Sequence, residues 1–76
     1  MIPLSQLPPG TRARVINVAS GAGGIRRLIY MGLLPGVEVT VVYNPGIGPI
    51  VVRFRGMTVS IGRGLANKIL VEVLPP

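Results

Sequence analysis

GAGGIRRLIYMGLLPG, residues 21–36, stands apart from everything around it, and the fold turns on how it is read. It opens on four small residues, Gly21, Ala22, Gly23 and Gly24, which predict a loop. A short helical pattern follows. Ile25, Leu28 and Ile29 lie three and four apart, so they share one face, the one expected to point inward. Arg26, Arg27 and Tyr30 fall off that stripe, toward solvent. Gly32 stands where a helix ends at least cost, because glycine accepts the left-handed conformation without a side-chain clash. Leu33 is the apolar residue after the stop, Pro35 blocks resumption of the helix, and Gly36 releases the chain into a strand. The stretch predicts one helix between Gly24 and Gly32, plugging one side of a β-structure.

The rest of the chain supplies that β-structure. Arg12–Val18 alternates partway, with Ala13 and Val15 on one face and Arg12 and Arg14 on the other. Val37, Val39 and Val41 alternate with Glu38, Thr40 and Val42 in a β-branched run. The loop 44–49, NPGIGP, is dense in chain breakers. Ile50, Val52 and Phe54 then alternate with Val51, Arg53 and Arg55. A tight turn at Gly56-Met57 makes Val51–Ile61 a hairpin, with Val59 and Ile61 inward. Residues 62–67 are a loop or one helical turn, and Ile69, Val71 and Val73 form a last strand. Before all this, Met1–Pro9 reads as an arm, with Leu4 and Leu7 three apart and Ser5 placed to cap a single turn. Five short strands separated by turn signals favour a sheet curled onto itself, since curling removes exposed edges. The expectation is an all-β domain over residues 1–76, a partly open five-stranded barrel with one short helix. Its expected core is Val15, Val18, Leu28, Val37, Val39, Val41, Ile50, Val52, Phe54, Val59, Ile61, Ile69 and Val71.

Composition narrows the chemistry. A 76-residue chain without cysteine is one small domain with a thin core. The absence of cysteine and of a signal-peptide pattern favours the cytoplasm. No apolar run reaches the ~18 residues that span a bilayer. Eight Arg or Lys against two carboxylates give a net charge of +6 and draw the protein toward phosphates, anionic lipid or an acidic protein face. There is no histidine. Glu38 and Glu72 lie at outward positions of separate strands, so no acid–base pair, activated nucleophile or metal-ligand set can be read. No catalytic residue, metal ligand or cofactor is expected. The glycines at 21, 23 and 24 lack the spacing of a phosphate-binding loop.

The ordered pieces PPG at 8–10, RRLIYMGLLPG at 26–36, NPGIGPI at 44–50, VRFRG at 52–56 and VSIGRGLANKILVEV at 59–73 together resemble the FeoA family, ferrous iron transport protein A. The resemblance spans nearly the whole chain. It implies an SH3-like barrel and a non-enzymatic, cytoplasmic accessory or regulatory protein. The implied partner is FeoB, the membrane ferrous iron transporter, which would hold the protein at the inner face of the membrane. Similar domains end metal-dependent repressors; this chain is read as the free-standing form, with homo-oligomerisation left open. Arg26, Arg27, Tyr30, Leu34 and Pro35 make the candidate docking patch, since Arg and Tyr are enriched among residues that dominate binding energy. Arg53 and Arg55 form a secondary basic patch. RNA binding by a basic barrel is the alternative, weakened by the scarcity of aromatic residues for base stacking.

Overall fold

The computed structural model describes residues 1–19 and 24–76. Among these, six strands form one antiparallel sheet in the order β1-β6-β2-β3-β4-β5. They are β1 (Ile2–Pro3), β2 (Arg12–Val18), β3 (Glu38–Tyr43), β4 (Ile50–Phe54), β5 (Met57–Ile61) and β6 (Ile69–Val73). Two helices join them, α1 (Ile25–Met31) and the single turn α2 (Arg63–Ala66). The expected loop at Gly21, Ala22 and Gly23 lies outside the described residues. The sheet is open between β1 and β5, as the partly open barrel required. Register shifts at Val15/Asn17 and Val41/Tyr43 bend β2 and β3, the means by which a sheet curls.

The strand count corrects the sequence reading from five to six. The Met1–Pro9 segment is not a detached arm. Ile2 and Pro3 pair with Val71 and Leu70 on the edge of β6, where a proline costs nothing because its missing N–H would face solvent. A 3-10 turn at Leu4–Gln6 follows. Leu4 and Leu7, three apart, are driven wholly into the core. Ser5 does not cap that turn. The N-cap is Pro3, and the Ser5 hydroxyl bonds instead to Asn67 Oδ1.

The core otherwise follows the alternation. Val15, Leu28, Val39, Val41, Ile50, Val52, Phe54, Ile61, Ile69 and Val71 are buried, and Val18, Val37 and Val59 pack half-buried against them. Leu4, Leu7, Ala13, Leu33 and Ala66 complete it. The β4–β5 turn falls one residue earlier than expected, at Arg55-Gly56. Both residues have positive φ, +54° and +77°, the requirement of a type I′ turn and its match to the twist of the two strands.

α1 starts and stops where predicted, between Gly24 and Gly32. Its end is a Schellman motif. Gly32, at φ +85°, donates its N–H to Ile29 O at 3.0 Å, and Leu33 N–H reaches back to Leu28 O at 2.9 Å. The motif places Leu28 and Leu33 as its apolar pair, and both are buried. The inward stripe is therefore Leu28 with half-buried Met31, and Leu33 beyond the helix. Ile25 and Ile29, expected inward, are 39% and 53% exposed. The cap fixes the rotation of so short a helix, and it turns these two isoleucines away from the sheet.

Candidate functional site

The register sorts the charges. Arg14 on β2 stands directly opposite Glu38 on β3 and Glu72 on β6. The neighbouring Arg12 donates Nε–H to Glu38 Oε2 at 3.1 Å. Both carboxylates of the protein thus face two arginines on the outer surface of β2. They lie two strand spacings apart, about 10 Å between backbones, with Arg14 between them. That arrangement compensates charge and does not make an acid–base pair. The cations left over are Arg26, Arg27, Arg53, Arg55, Arg63 and Lys68, which account for the entire +6. They sit on α1, the β4–β5 hairpin and α2 with its following turn, and Arg53 shares the sheet face of Arg12 and Glu38, since Arg12, Thr40 and Arg53 stand opposite one another in register.

Three of these cations have structural partners. Arg63 is the most engaged. Its Nε donates to Gly48 O at 2.9 Å, Nη1 to Ser5 O at 3.2 Å and Nη2 to Asn44 Oδ1 at 2.6 Å. Asn44 in turn donates Nδ2–H to Ser5 O and Leu7 O, and accepts from Gly46 N–H. These two side chains tie the N-terminal segment, the 44–49 loop and α2 into one unit. Arg27 Nη2 donates to Ser60 O on edge strand β5 at 3.2 Å. Arg55 reaches the opposite way. A Cβ built on Gly32 would lie 3.4 Å from its Nη1, so its guanidinium rests at the carbonyl end of α1, where the helix dipole is negative. Arg27 therefore bonds α1 to the β4–β5 hairpin, and Arg55 reaches from that hairpin toward the end of α1.

The remaining surface of α1 is free. At about 100° per residue, the order around the helix from its buried side is Leu28, Ile25, Ile29, Arg26, Tyr30, Arg27, Met31. Arg26 and Tyr30 form the outward crest, and Tyr30 is 82% exposed. Among the described residues Arg26 makes no hydrogen bond or ion pair. Beside the crest, Ile25 and Ile29 form one wall of an apolar groove of about 210 Å³. Leu34, Pro35 and Val18 form the other side, Leu28 and Leu33 the floor, and Asn17 lies at the margin.

The candidate patch is thus distributed over three neighbouring places. Leu34 and Pro35 line the groove, Arg26 and Tyr30 crown the helix, and Arg27 bonds to β5. Arg53 and Arg55 do not share a face. Arg53 stands on the sheet between Thr40 and Thr58, while the type I′ turn swings Arg55 to the helix end. Sequence reasoning missed Ile25 and Ile29 as surface residues, and missed the Asn44–Arg63 tie. The Schellman pattern Leu28-x-x-x-Gly32-Leu33 held the signal for the first. Nothing local links Asn44 to Arg63.

The groove's volume of about 210 Å³ lies below the range of about 300 to 1,000 Å³ usual for pockets that take drug-sized ligands. A second recess of about 270 Å³ beside Thr11 and Leu74 is occupied at its rim by Arg12, already committed to Glu38 and to Pro75 O. Among the described residues no three His, Cys, Asp or Glu side chains converge, and no helix is long and apolar enough to cross a membrane.

Comparison with known proteins places this architecture. The model of the FeoA domain matches residues 2–73. A candidate Fe(2+) transport protein A of Methanocaldococcus jannaschii is 38% identical over 72 residues, covering 95% of this chain and 87% of that protein. The solution structure of FeoA from Chlorobium tepidum superposes with a TM-score of 0.86 at 36% identity, over 97% of this chain and 71% of that one. The zinc complex of Stenotrophomonas maltophilia FeoA gives 0.81 at 28% identity, over 95% and 91%. That protein is presented as a prokaryotic SH3-domain protein and a suggested activating factor of bacterial ferrous iron transport.

Proposed function

This chain belongs to the FeoA family, and from that premise we propose that it is a non-catalytic cytoplasmic accessory protein of ferrous iron transport. It works by docking on the cytoplasmic part of an FeoB-type transporter. The contact face is the free side of α1 with the turn that follows it: Arg26, Arg27, Tyr30, Leu34 and Pro35. One observation carries this reading. Both carboxylates are matched by Arg12 and Arg14 along β2, while α1 carries two arginines, no carboxylate, and the exposed Ile25, Ile29 and Tyr30. Such a surface suits a complementary acidic face and gains association rate from long-range attraction. An exposed apolar patch rimmed by charge is also the usual mark of a protein contact.

The test is capture of the transporter's purified cytoplasmic GTP-binding domain by the wild-type protein and by an Arg26→Glu/Arg27→Glu variant. An RNA gel shift runs alongside. The variant is expected to lose most binding and, at low salt, to associate more slowly. Its melting temperature should fall by only a few degrees, because only the exposed Arg27–Ser60 bond is removed. A folded variant that binds normally would take the site away from α1 and make Arg53 and Arg55 the next candidates. A tight, sequence-tolerant RNA shift without domain capture would favour the nucleic-acid alternative.

A further inference from the structure

We propose that the loop 44–49 is a membrane-contact tip, which sets Ile47 into the interfacial layer of an anionic lipid bilayer. The site is separate from the docking face and does not rest on it. α1 and its turn lead into the N-terminal end of β3, and the loop leaves from the C-terminal end. The strand between them spans about 17 Å.

The tip protrudes and is apolar. Ile47 is 80% exposed, and Val42 and Tyr43, also exposed, stand at the root of the loop. The exposed Pro8 and Pro9 run alongside, because Asn44 Nδ2–H bonds to Leu7 O and Gly10 N–H to Val41 O. Residues 39–52 carry no charged side chain. Tyr43 pairs an apolar ring with a polar hydroxyl, the chemistry favoured where hydrocarbon meets water.

The backbone decides what such a tip can enter. A loop leaves water cheaply only where its polar groups are absent or already bonded. Pro45 and Pro49 have no N–H. Gly46 N–H donates to Asn44 Oδ1 at 3.1 Å, and Gly48 O accepts from Arg63 Nε at 2.9 Å. The chain on either side of Ile47 is therefore tied down before any contact is made. That lowers the cost of desolvation and holds the isoleucine outward. The polar groups left over find water and headgroup partners at interfacial depth.

Charge completes the fit to an anionic surface. Arg63 stands at the base of the loop, and its acceptors there are all neutral, so its cation is left to face phosphate headgroups. Both carboxylates lie away from the tip, since Glu38 begins β3 and Glu72 stands across Arg14 from it. The net charge of +6 adds attraction at longer range. A protein partner would need a recess matched to one side chain. A bilayer takes a protruding side chain without such matching and gains from each nearby cation.

The protein has no tryptophan, so Ile47→Trp places a single fluorophore at the tip. The full chain is titrated with vesicles of phosphatidylcholine, with and without phosphatidylglycerol. On the anionic vesicles the indole emission is expected to shift to the blue and to be quenched by lipids brominated near the headgroup end of the acyl chain. In cosedimentation, Ile47→Ser should bind these vesicles about tenfold more weakly than wild type, the scale of burying one aliphatic side chain. Its melting temperature should not change, because Ile47 packs against nothing in the core. Added salt should weaken binding of every variant. Equal sedimentation of wild type and Ile47→Ser would show adsorption through the basic surface alone and overturn the proposal. So would an indole that anionic vesicles neither shift nor quench. Capture of a soluble protein that depends on Ile47, without vesicle binding, would also overturn it and assign the tip to a protein contact.

Discussion

Arg63→Ala is expected to unfasten three parts of the molecule at once, and the cost can be worked from the geometry. The guanidinium makes three hydrogen bonds, to Gly48 O, Ser5 O and Asn44 Oδ1, at 2.9, 3.2 and 2.6 Å. At about 0.5–1.5 kcal/mol each, the sum is about 1.5–4.5 kcal/mol. The lower half of that range applies, because the acceptors are not left bare. Ser5 O still receives Asn44 Nδ2–H at 2.9 Å, Asn44 Oδ1 still receives Gly46 N–H at 3.1 Å, and Gly48 lies in an exposed loop. A loss of about 2 kcal/mol lowers the melting temperature of a domain this size by about 8–16 °C.

Differential scanning calorimetry reads the shift directly. The acceptors are all neutral, so the loss should be nearly the same at low and high salt, unlike that of a surface ion pair. Arg63→Lys should recover less than half, since an ammonium cannot hold the forked geometry. Asn44→Ala added to Arg63→Ala should cost less than the two separate losses, because the residues share one network. A melting temperature within about 2 °C of wild type, or full rescue by lysine, would refute the reasoning.

Three further outcomes follow from other parts of the structure. Leu4→Ala should destabilise by about 2–5 kcal/mol in urea unfolding, the cost of a core cavity, because Leu4 is wholly buried; a loss below about 1 kcal/mol would return the N-terminal segment to a loose arm. Gly32→Ala should cost about 1–2 kcal/mol, the penalty for a Cβ in the left-handed conformation, since Gly32 sits at φ +85°; an unchanged melting temperature would mean the helix cap is not what holds α1. Calorimetric titration of the isolated monomer with Fe(II) should show only weak binding, because the sequence has no His or Cys and its two carboxylates flank Arg14; a tight one-to-one complex would overturn this.

The parts legible in the sequence were those set by near neighbours along the chain. Alternation of Val37, Val39 and Val41, or of Ile50, Val52 and Phe54, specifies which face of a strand is apolar, and the buried set follows it closely. Glycine at 24 and 32 bounded the helix, because a backbone demand at a single residue needs no tertiary knowledge. The ordered motifs carried the family, and the barrel followed from the alternating strands and turn signals, in agreement with the family resemblance. One error lay in the rotation of α1. Ile25 and Ile29 were read inward because helical spacing reports that residues share a face, and does not report which face the sheet takes. A hydrophobic stripe on a seven-residue helix leaves that choice to the cap and to packing against Met31 and Leu33.

Tertiary structure alone decided the rest, for a physical reason common to each case. Pairing of Ile2 and Pro3 with β6 joins residues at opposite ends of the chain, and no local propensity marks a two-residue strand. Asn44 and Arg63 meet because the 44–49 loop and α2 fold back on the segment from Ser5 to Leu7, so their bonds exist only once those distant segments have come together. Arg53 and Arg55, two apart and thus nominally on one face, are separated by the turn that Arg55 itself enters. The net charge of +6 was plain from composition; that both carboxylates would be matched along β2 was not. Cross-strand register sets Glu38 and Glu72 around Arg14, and register is a property of strands brought together, not of either strand by itself.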